Sequence, residues 1–285
     1  MSKYIEPLNL SHQQVLSSKF RELNIPLSEY SFANLYLFRE VHSYEVLIIE
    51  SEIFLKGLTY DHLSFIMPTS PLPSIHPSIL KQALTDSKIL YPIPEDMMHS
   101  IENGLVISSF KEEDSDYVYA VNKLATYKGR HLDGQRNQIK HFLNEHLVRC
   151  EVISNQFSDM QNILNAWQAD FGEERQTDYM ACKEAIQHYQ SLMLYGHIVY
   201  VDENPAGFII GEWGARNYFT VHFAKGLRSI KGIYQYLYQE LAKFVESHCT
   251  WMNFEQDLGI PAIQYAKLSY HPDFLMKKWR LQLSF

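Results

Sequence analysis

The chain has 285 residues, of which 46% are hydrophobic and 14% aromatic, and its formal net charge is −8. This length allows two domains of ordinary size, and the apolar content excludes a disordered chain. The negative charge argues against general affinity for nucleic acid, which needs a local excess of Lys and Arg.

Cysteine usage and the N-terminal sequence predict a cytoplasmic protein. Cys150, Cys182 and Cys249 are far apart and form no CxxC motif, which indicates reduced, packed thiols and no zinc site. The N-terminus lacks the apolar core of a signal peptide, and no apolar run approaches the roughly 18 residues of a membrane span. Without a transmembrane segment, the protein would act on any lipid from the membrane surface.

The first half of the chain predicts two helices, three strands, a helix, a strand, a helix and two strands. Ser11 caps the first helix, and the second is so aromatic that it should be buried or line a cleft. The predicted segments are helices at 11–23 and 28–38, strands at 44–50, 53–56 and 62–67, a helix at 77–85, a strand at 89–91, a helix at 94–103, and strands near 105–109 and 117–121.

A basic stretch, residues 122–150, separates the two halves. Ile139, Phe142 and Leu143 have helical spacing within 135–147, which places the basic side chains on the opposite helix face. Such a face is commonly solvated surface, but its contrast with the acidic chain favours a role in binding.

The second half repeats this element order. The predicted segments are helices at 157–169 and 178–194, strands at 195–201, 206–211 and 218–223, a helix at 231–247, a strand at 251–255, a short helix from 261 and a strand near 279–283. Since the sequence itself repeats little, the order of elements alone predicts a duplication, with domains at 1–148 and 149–285.

Polar residues are densest at 251–272. A short apolar run ends in carboxylates, a turn with Gly259 and Pro261 follows, and a short helix comes next. This pattern is typical of functional groups at the carboxyl end of a strand, and an equal alternative is that the acids cap the helix.

The element order resembles two tandem GNAT acyltransferase folds, an α+β class in which helices flank a mostly antiparallel central sheet. The resemblance implies a sheet splayed between its middle strands and a helix N-terminus that binds the donor's phosphates. The matching turn offers Arg228 and Lys231 as cations, and Gly232 for close approach of the backbone. Tyr234 stands where the family carries Gly or Ala, which disfavours coenzyme A.

Longer motifs resemble an uncharacterised bacterial family related to the phosphatidylglycerol lysyltransferase C-terminal domain. Relatives with known activity pass an aminoacyl group from charged tRNA to a lipid or a peptidoglycan amine. The resemblance therefore implies aminoacyl-tRNA or a small-molecule acyl donor, and a peripheral lipid acceptor. The motifs are SEYSFANLYLFRE at 28–40, KGRHLDGQRNQI at 128–139, VHFAKG at 221–226, KGIYQYLYQELAKF at 231–244, NFEQDLGIP at 253–261 and AKLSYHP at 266–272.

This family resemblance also implies a site. His222 and Lys225 stand where the lysyltransferases carry an acid and an Arg, and we predict them as base and oxyanion-stabilising cation, with Glu255 or Asp257 as an alternative base. The basic segment 123–149 would hold the donor's phosphates. The predicted binding residues are Arg130, His131, Arg136, Asn137, Arg228, Lys231, Gly232, Asn253, Gln256, Lys267, Tyr270 and His271.

Three functions remain open on this basis. The first is an acyl or aminoacyl transferase that acts on an amine or hydroxyl acceptor. The second is a non-catalytic tandem scaffold that binds an acidic ligand or a protein partner. The third, a coenzyme A-dependent N-acetyltransferase, is disfavoured by Tyr234.

Overall fold

The computed structural model describes residues 3–98, 106–172 and 177–283. The chain forms two compact units, and both are discontinuous in sequence. Unit 1 ends at Asp116 and takes in Gln256–Gln264 and the segment that starts at Leu275, whereas unit 2 consists of Tyr117–Glu255 and Tyr265–Phe274. The sequence analysis placed residues 117–148 in the first domain, whereas in the structure they belong to unit 2. The boundary between two tandem repeats at 148/149 stays a prediction.

Unit 1 is built on a mostly antiparallel sheet with the strand order β1-β2-β3-β4-β5-β14-β6. Its strands are β1 (Lys3–Pro7), β2 (Glu45–Ile49), β3 (Glu52–Leu58), β4 (Ser64–Pro68), β5 (Ile89–Pro94), β6 (Val106–Phe110) and β14 (Lys278–Leu283), and its helices are α1 (Gln13–Leu23), α2 (Phe32–Leu37), α3 (Arg39–His42), α4 (Pro77–Ala83) and α5 (Glu95–Met98). One core cluster packs against this sheet and contains Phe54, Ile66 and Leu281, which are fully buried. Within this sheet only β4 and β5 pair in parallel, among the strands with described registers.

The second sheet has the order β13-β7-β12-β11-β10-β9-β8. Its strands are β7 (Asp116–Ala120), β8 (Val148–Val152), β9 (Tyr195–Val201), β10 (Asn204–Trp213), β11 (Tyr218–Gly226), β12 (Trp251–Asn253) and β13 (Phe274–Met276). The accompanying helices are α6 (Val121–Thr126), α7 (Asp133–Glu145), α8 (Phe157–Ala169), α9 (Tyr179–Gln187), α10 (Ile233–Val245) and α11 (Pro261–Leu268). Tyr218–Thr220 of β11 pair in parallel with β12, and β11 then continues to Gly226 beyond that pairing. The predicted splay between these strands stays a prediction.

The predicted α+β class, with two mostly antiparallel sheets flanked by helices, is confirmed. Most predicted elements form within a few residues of their expected limits, but the sequence analysis missed β1, β8 and β13. The predicted helix 28–38 shortens to α2, since a cap at Ser31 binds the Asn34 N–H. Of the predicted helix 94–103, the structure has α5, while 99–105 lie outside the described residues.

Helix α10 packs closely on β11 and α7 because glycines lie at the points of contact. A Cβ on Gly226 would lie 2.8 Å from Cγ2 of Ile233, so any larger residue would push the helix away. Gly232, at the helix N-cap, has φ +89°, and a Cβ there would lie 2.8 Å from the Gln138 carbonyl oxygen of α7. Gly232 therefore serves the packing of two helices, in a backbone conformation that favours glycine.

Unit 1 contains a buried ionic cluster around Lys278. Its ammonium lies 2.7 Å from Glu29 and 2.6 Å from Asp116, and both acids are almost fully buried. It also donates to Ser28 Oγ at 3.0 Å and to the Gln256 side chain. Burial raises the pKa of Glu29 to about 7, and Asp116 adds to this effect while Lys278 opposes it.

Candidate active site

In unit 2, an imidazole sits between two carboxylates. His222 Nδ1 lies 2.8 Å from Oε1 of Glu255, and its Nε2 lies 2.9 Å from Oε1 of Glu212. Ile210 pairs with Phe223 and Gly211 with Val221, so His222 is the extra residue of a β-bulge in β11. Bulges redirect a side chain, and this one presents His222 to both acids.

His222 is a cation in this arrangement. Its side chain is fully buried, and burial alone lowers its pKa, but the hydrogen bonds that it donates to Glu212 and Glu255, with the charges of these two carboxylates, outweigh burial and raise the pKa to about 10. Both ring nitrogens then carry protons and donate to carboxylates. An imidazolium has no free lone pair, so the geometry does not favour the predicted role of His222 as base.

Glu255 is held by contacts on both sides of its peptide unit. Its backbone has φ +58°, a conformation uncommon for a non-glycine residue. The Glu255 N–H donates to Asn253 Oδ1 at 2.7 Å, and its carbonyl accepts from Tyr117 N and from Lys267 Nζ, each at 3.1 Å. Asn253 and Lys267, predicted to bind substrate, thus position the carboxylate. An unusual backbone fixed in this way is common at functional sites.

Lys225 lies in a separate set of contacts, with α8 and the start of α9. Its ammonium is 2.6 and 2.8 Å from the two carboxylate oxygens of Asp178 and 3.7 Å from the Trp167 ring centroid. The Lys225 side chain is only 5% exposed. Its charge is therefore matched by Asp178 and by an aromatic face.

Two open cavities flank the loop before α10. One, of about 490 Å³, is lined by Asp170, Leu227 and Arg228 among others. The other, of about 440 Å³, is lined in part by Arg228, Lys231 and Tyr234. The exposed guanidinium of Arg228 is common to both and lies 5.0 Å from the Phe171 ring centroid. The N–H groups at the start of α10 add a partial positive charge, which suits an anion.

The predicted basic segment forms α7 and the turn before it. Arg136 donates to the carbonyl groups of Tyr127 and, at 2.8 Å, of Gly129, and it pairs with Asp133, so its guanidinium links the preceding turn to the start of the helix. Arg130, His131 and Asn137 are exposed. Gln138, on the same helix, lines the smaller cavity, so α7 borders the loop before α10.

The remaining predicted residues lie elsewhere. Gln256 binds Lys278 in unit 1, and Asp257 accepts the Gly259 N–H at 2.8 Å, within the turn that precedes α11. Tyr270 is buried against Tyr238, with ring centroids 5.1 Å apart. His271 lies exposed beside His131, and its carbonyl accepts from Lys123.

Sequence reasoning missed Glu212, Asp178 and Trp167. Glu212 is the residue after the predicted strand 206–211, and a carboxylate that ends an apolar strand is a weak signal that was available. Asp178 and Trp167 begin and end helices far from β11 in sequence. Only the fold brings them to Lys225.

Comparison with known proteins gives one family match and related structures. The family described as phosphatidylglycerol lysyltransferase, C-terminal, matches residues 20–282. An uncharacterised protein of Mycoplasmoides gallisepticum is 20% identical over 177 residues, which cover 60% of this chain and 57% of that protein. The chain therefore spans less than two thirds of the length of this relative.

Two solved structures share the fold over nearly the whole chain. A conserved protein of unknown function from Bacteroides thetaiotaomicron has a TM-score of 0.85 at 22% identity, covering 99% of this chain and 100% of its own. L-PGS from Bacillus licheniformis has a TM-score of 0.63 at 14% identity, covering 98% of this chain and 92% of its own. Within residues 3–98, 106–172 and 177–283, no helix combines the length and apolar character that crossing a bilayer requires.

Proposed function

The chain belongs to the phosphatidylglycerol lysyltransferase C-terminal family, as its motifs predicted, and we propose that it transfers an aminoacyl or acyl group to an amine or hydroxyl acceptor. Family and fold support an acyltransferase of the GNAT type. The observation that carries the proposal is the Glu212–His222–Glu255 cluster, which lies just past the residues where β11 pairs with β12.

The donor's phosphates would bind at the loop before α10. Arg228 and Lys231 line the cavities there, and the helix N-terminus supplies N–H groups that favour negative charge. Gln138 of α7 also lines the smaller cavity, and Lys140 is an exposed cation on the same helix. Such a surface fits the acceptor stem of an aminoacyl-tRNA, since it gives an acidic protein one local basic region.

Glu255 is the proposed general base. It takes a proton from the acceptor amine or hydroxyl as that group attacks the donor's ester carbonyl carbon. The ester C–O bond breaks, and the leaving oxygen of the donor takes up the proton that Glu255 removed from the acceptor, which returns Glu255 to its ionised form. Protonated His222 orients Glu255 and Glu212, whose side chains remain 13% and 16% exposed and are therefore open to an acceptor. To serve as the predicted cation for the oxyanion, Lys225 would have to give up part of its contact with the Asp178 carboxylate.

A transfer assay with Glu255→Gln tests the proposal. The protein, aminoacyl-tRNA carrying radiolabelled amino acid and a panel of amine and lipid acceptors are incubated, and the labelled product is quantified. We expect at least about a hundredfold loss of rate in Glu255→Gln, as is typical for loss of a general base. The control Glu246→Gln, on the exposed residue after α10, should retain wild-type rate.

Donor binding supplies the second arm of this test. Filter binding across a series of salt concentrations should show weaker tRNA affinity and a smaller salt dependence in an Arg228→Ala/Lys231→Ala double variant than in Lys243→Ala, a change at the far end of α10. No transfer to any acceptor, together with tRNA affinity that the double variant leaves unaltered, would contradict the proposal and favour a non-catalytic scaffold.

A further inference from the structure

At Gly226, the last residue of β11, the backbone N–H points away from β10. This residue lies past the part of β11 that pairs with β12. Leu227 N donates to Ala206 O at 2.9 Å, so Leu227 and Ala206 form a hydrogen-bonded pair of the antiparallel ladder. Hydrogen-bonded and non-hydrogen-bonded pairs alternate in such a ladder. Gly226, opposite Gly207, therefore directs its N–H and carbonyl away from β10, past the last residue of β11 that pairs with β12.

The Tyr234 hydroxyl occupies this backbone position. It accepts the Gly226 N–H at 3.2 Å and lies 3.4 Å from the Gly226 carbonyl oxygen, so it meets both groups that an added strand or an extended ligand would bind. Trp167 Nε1 donates to the same hydroxyl at 3.1 Å. The Trp167 ring in turn supports the Lys225 ammonium. The side chain of Tyr234 is thus fixed from two directions.

Tyr234 also lines the 440 Å³ cavity, together with Arg228 and Lys231. A donor whose phosphates bound these cations and whose arm continued along β11 would meet the Tyr234 ring at Gly226. An arm made of amides, such as the pantetheine arm of coenzyme A, needs backbone groups of this kind as hydrogen-bond partners. Because Tyr234 already binds them, such an arm would have to displace a buried hydroxyl and leave Trp167 Nε1 without its partner.

We propose that Tyr234 is a specificity-determining residue that excludes donors carrying a pantetheine arm while leaving the phosphate-binding loop open. The inference builds on the transferase proposed above, because it restricts the donor of that same site. Its test measures binding and backbone exchange alone, so a failure of transfer activity and a failure of this inference give different results.

The experiment compares coenzyme A with adenosine 3′,5′-bisphosphate, which retains phosphates but lacks the arm. Isothermal titration should show that Tyr234→Ala binds coenzyme A at least about tenfold more tightly than the wild type does. Affinity for the bisphosphate should stay within about twofold in both proteins. Tyr236→Phe, which removes a hydroxyl from the same helix, should behave as the wild type.

Tyr234→Phe gives a second readout that does not depend on the alanine variant being folded. It keeps the ring but frees the Gly226 N–H, whose hydrogen exchange should accelerate by about tenfold or more while coenzyme A stays excluded. Wild-type protein that binds coenzyme A as tightly as Tyr234→Ala, or Gly226 exchange that is unchanged in Tyr234→Phe, would overturn the inference.

Discussion

At the residue scale, the role of His222 depends on its charge. The sequence places a histidine on the right strand but does not reveal that a bulge aims it between Glu212 and Glu255. The residues of β11 look like those of an ordinary strand, so the bulge cannot be recognised from them. Glu212 and Glu255 are 10 and 33 residues away from His222 in sequence. The residue was therefore predictable, whereas its protonation state was not.

The raised pKa of His222 makes stability depend on pH. The two carboxylates raise that pKa from 6.5 to about 10, so the stability they confer is complete below about pH 6.5 and is lost as the pH rises towards 10. Urea unfolding of the wild type should therefore show a free energy of unfolding that declines between pH 6.5 and 9.

His222→Gln supplies the comparison, because glutamine does not titrate. Its free energy of unfolding should change less over this range, and the difference between the two proteins should shrink as the pH rises. A difference that grew with pH would show that His222 is neutral in the folded protein.

At the scale of elements, most helices and strands followed from periodicity and turn residues, but close approaches between elements did not. Gly232 was predicted to admit a ligand, yet its missing side chain accommodates α7. The predicted helix limits of α7 and α10 carry no information on how the two pack. Which face of α7 meets the start of α10 depends on the positions that the whole fold gives to the two helices.

Gly232→Ala tests this packing. The substitution adds a methyl group 2.8 Å from the Gln138 carbonyl oxygen and requires a left-handed backbone at a non-glycine residue, so we expect a loss of about 2 kcal/mol, seen as a lower melting temperature. The matched control is Gly134→Ala in α7, where no atom lies within 4 Å of the added methyl group. That change should stabilise the helix by about 0.5–1 kcal/mol. Equal effects at the two positions would contradict the packing role.

At the scale of the whole molecule, the two units take strands from distant parts of the chain. β14, at residues 278–283, lies between β5 and β6 in the sheet of unit 1, and β7 lies between β13 and β12 in the other sheet. The order of elements along the chain predicted two similar folds. It also assigned the last strand, near 279–283, to the second fold, whereas the structure places β14 in the sheet of unit 1, because Trp279 and Leu281 carry no signal that distinguishes one core from the other.

A chain that stops at Met276 tests the dependence of unit 1 on β14. Without Lys278, the buried acids Glu29 and Asp116 lose their cation, and without Leu281 the core has a cavity. We expect calorimetry to show that the transition of unit 1 is lost, and that a synthetic peptide of residues 277–285 restores it when added in excess. A shortened chain that melts like the full-length one would exclude this dependence.

The position of β14 also has a consequence for biosynthesis. A ribosome delivers residues in order, and domains commonly fold as soon as they emerge. Here the sheet that begins at Lys3 stays incomplete until Leu283 has left the exit tunnel, whereas all strands around β11 are available by Met276. The sheet of unit 1, most of which is translated first, is therefore completed last. After β5 and β6 have emerged, each lacks its partner strand until β14 follows.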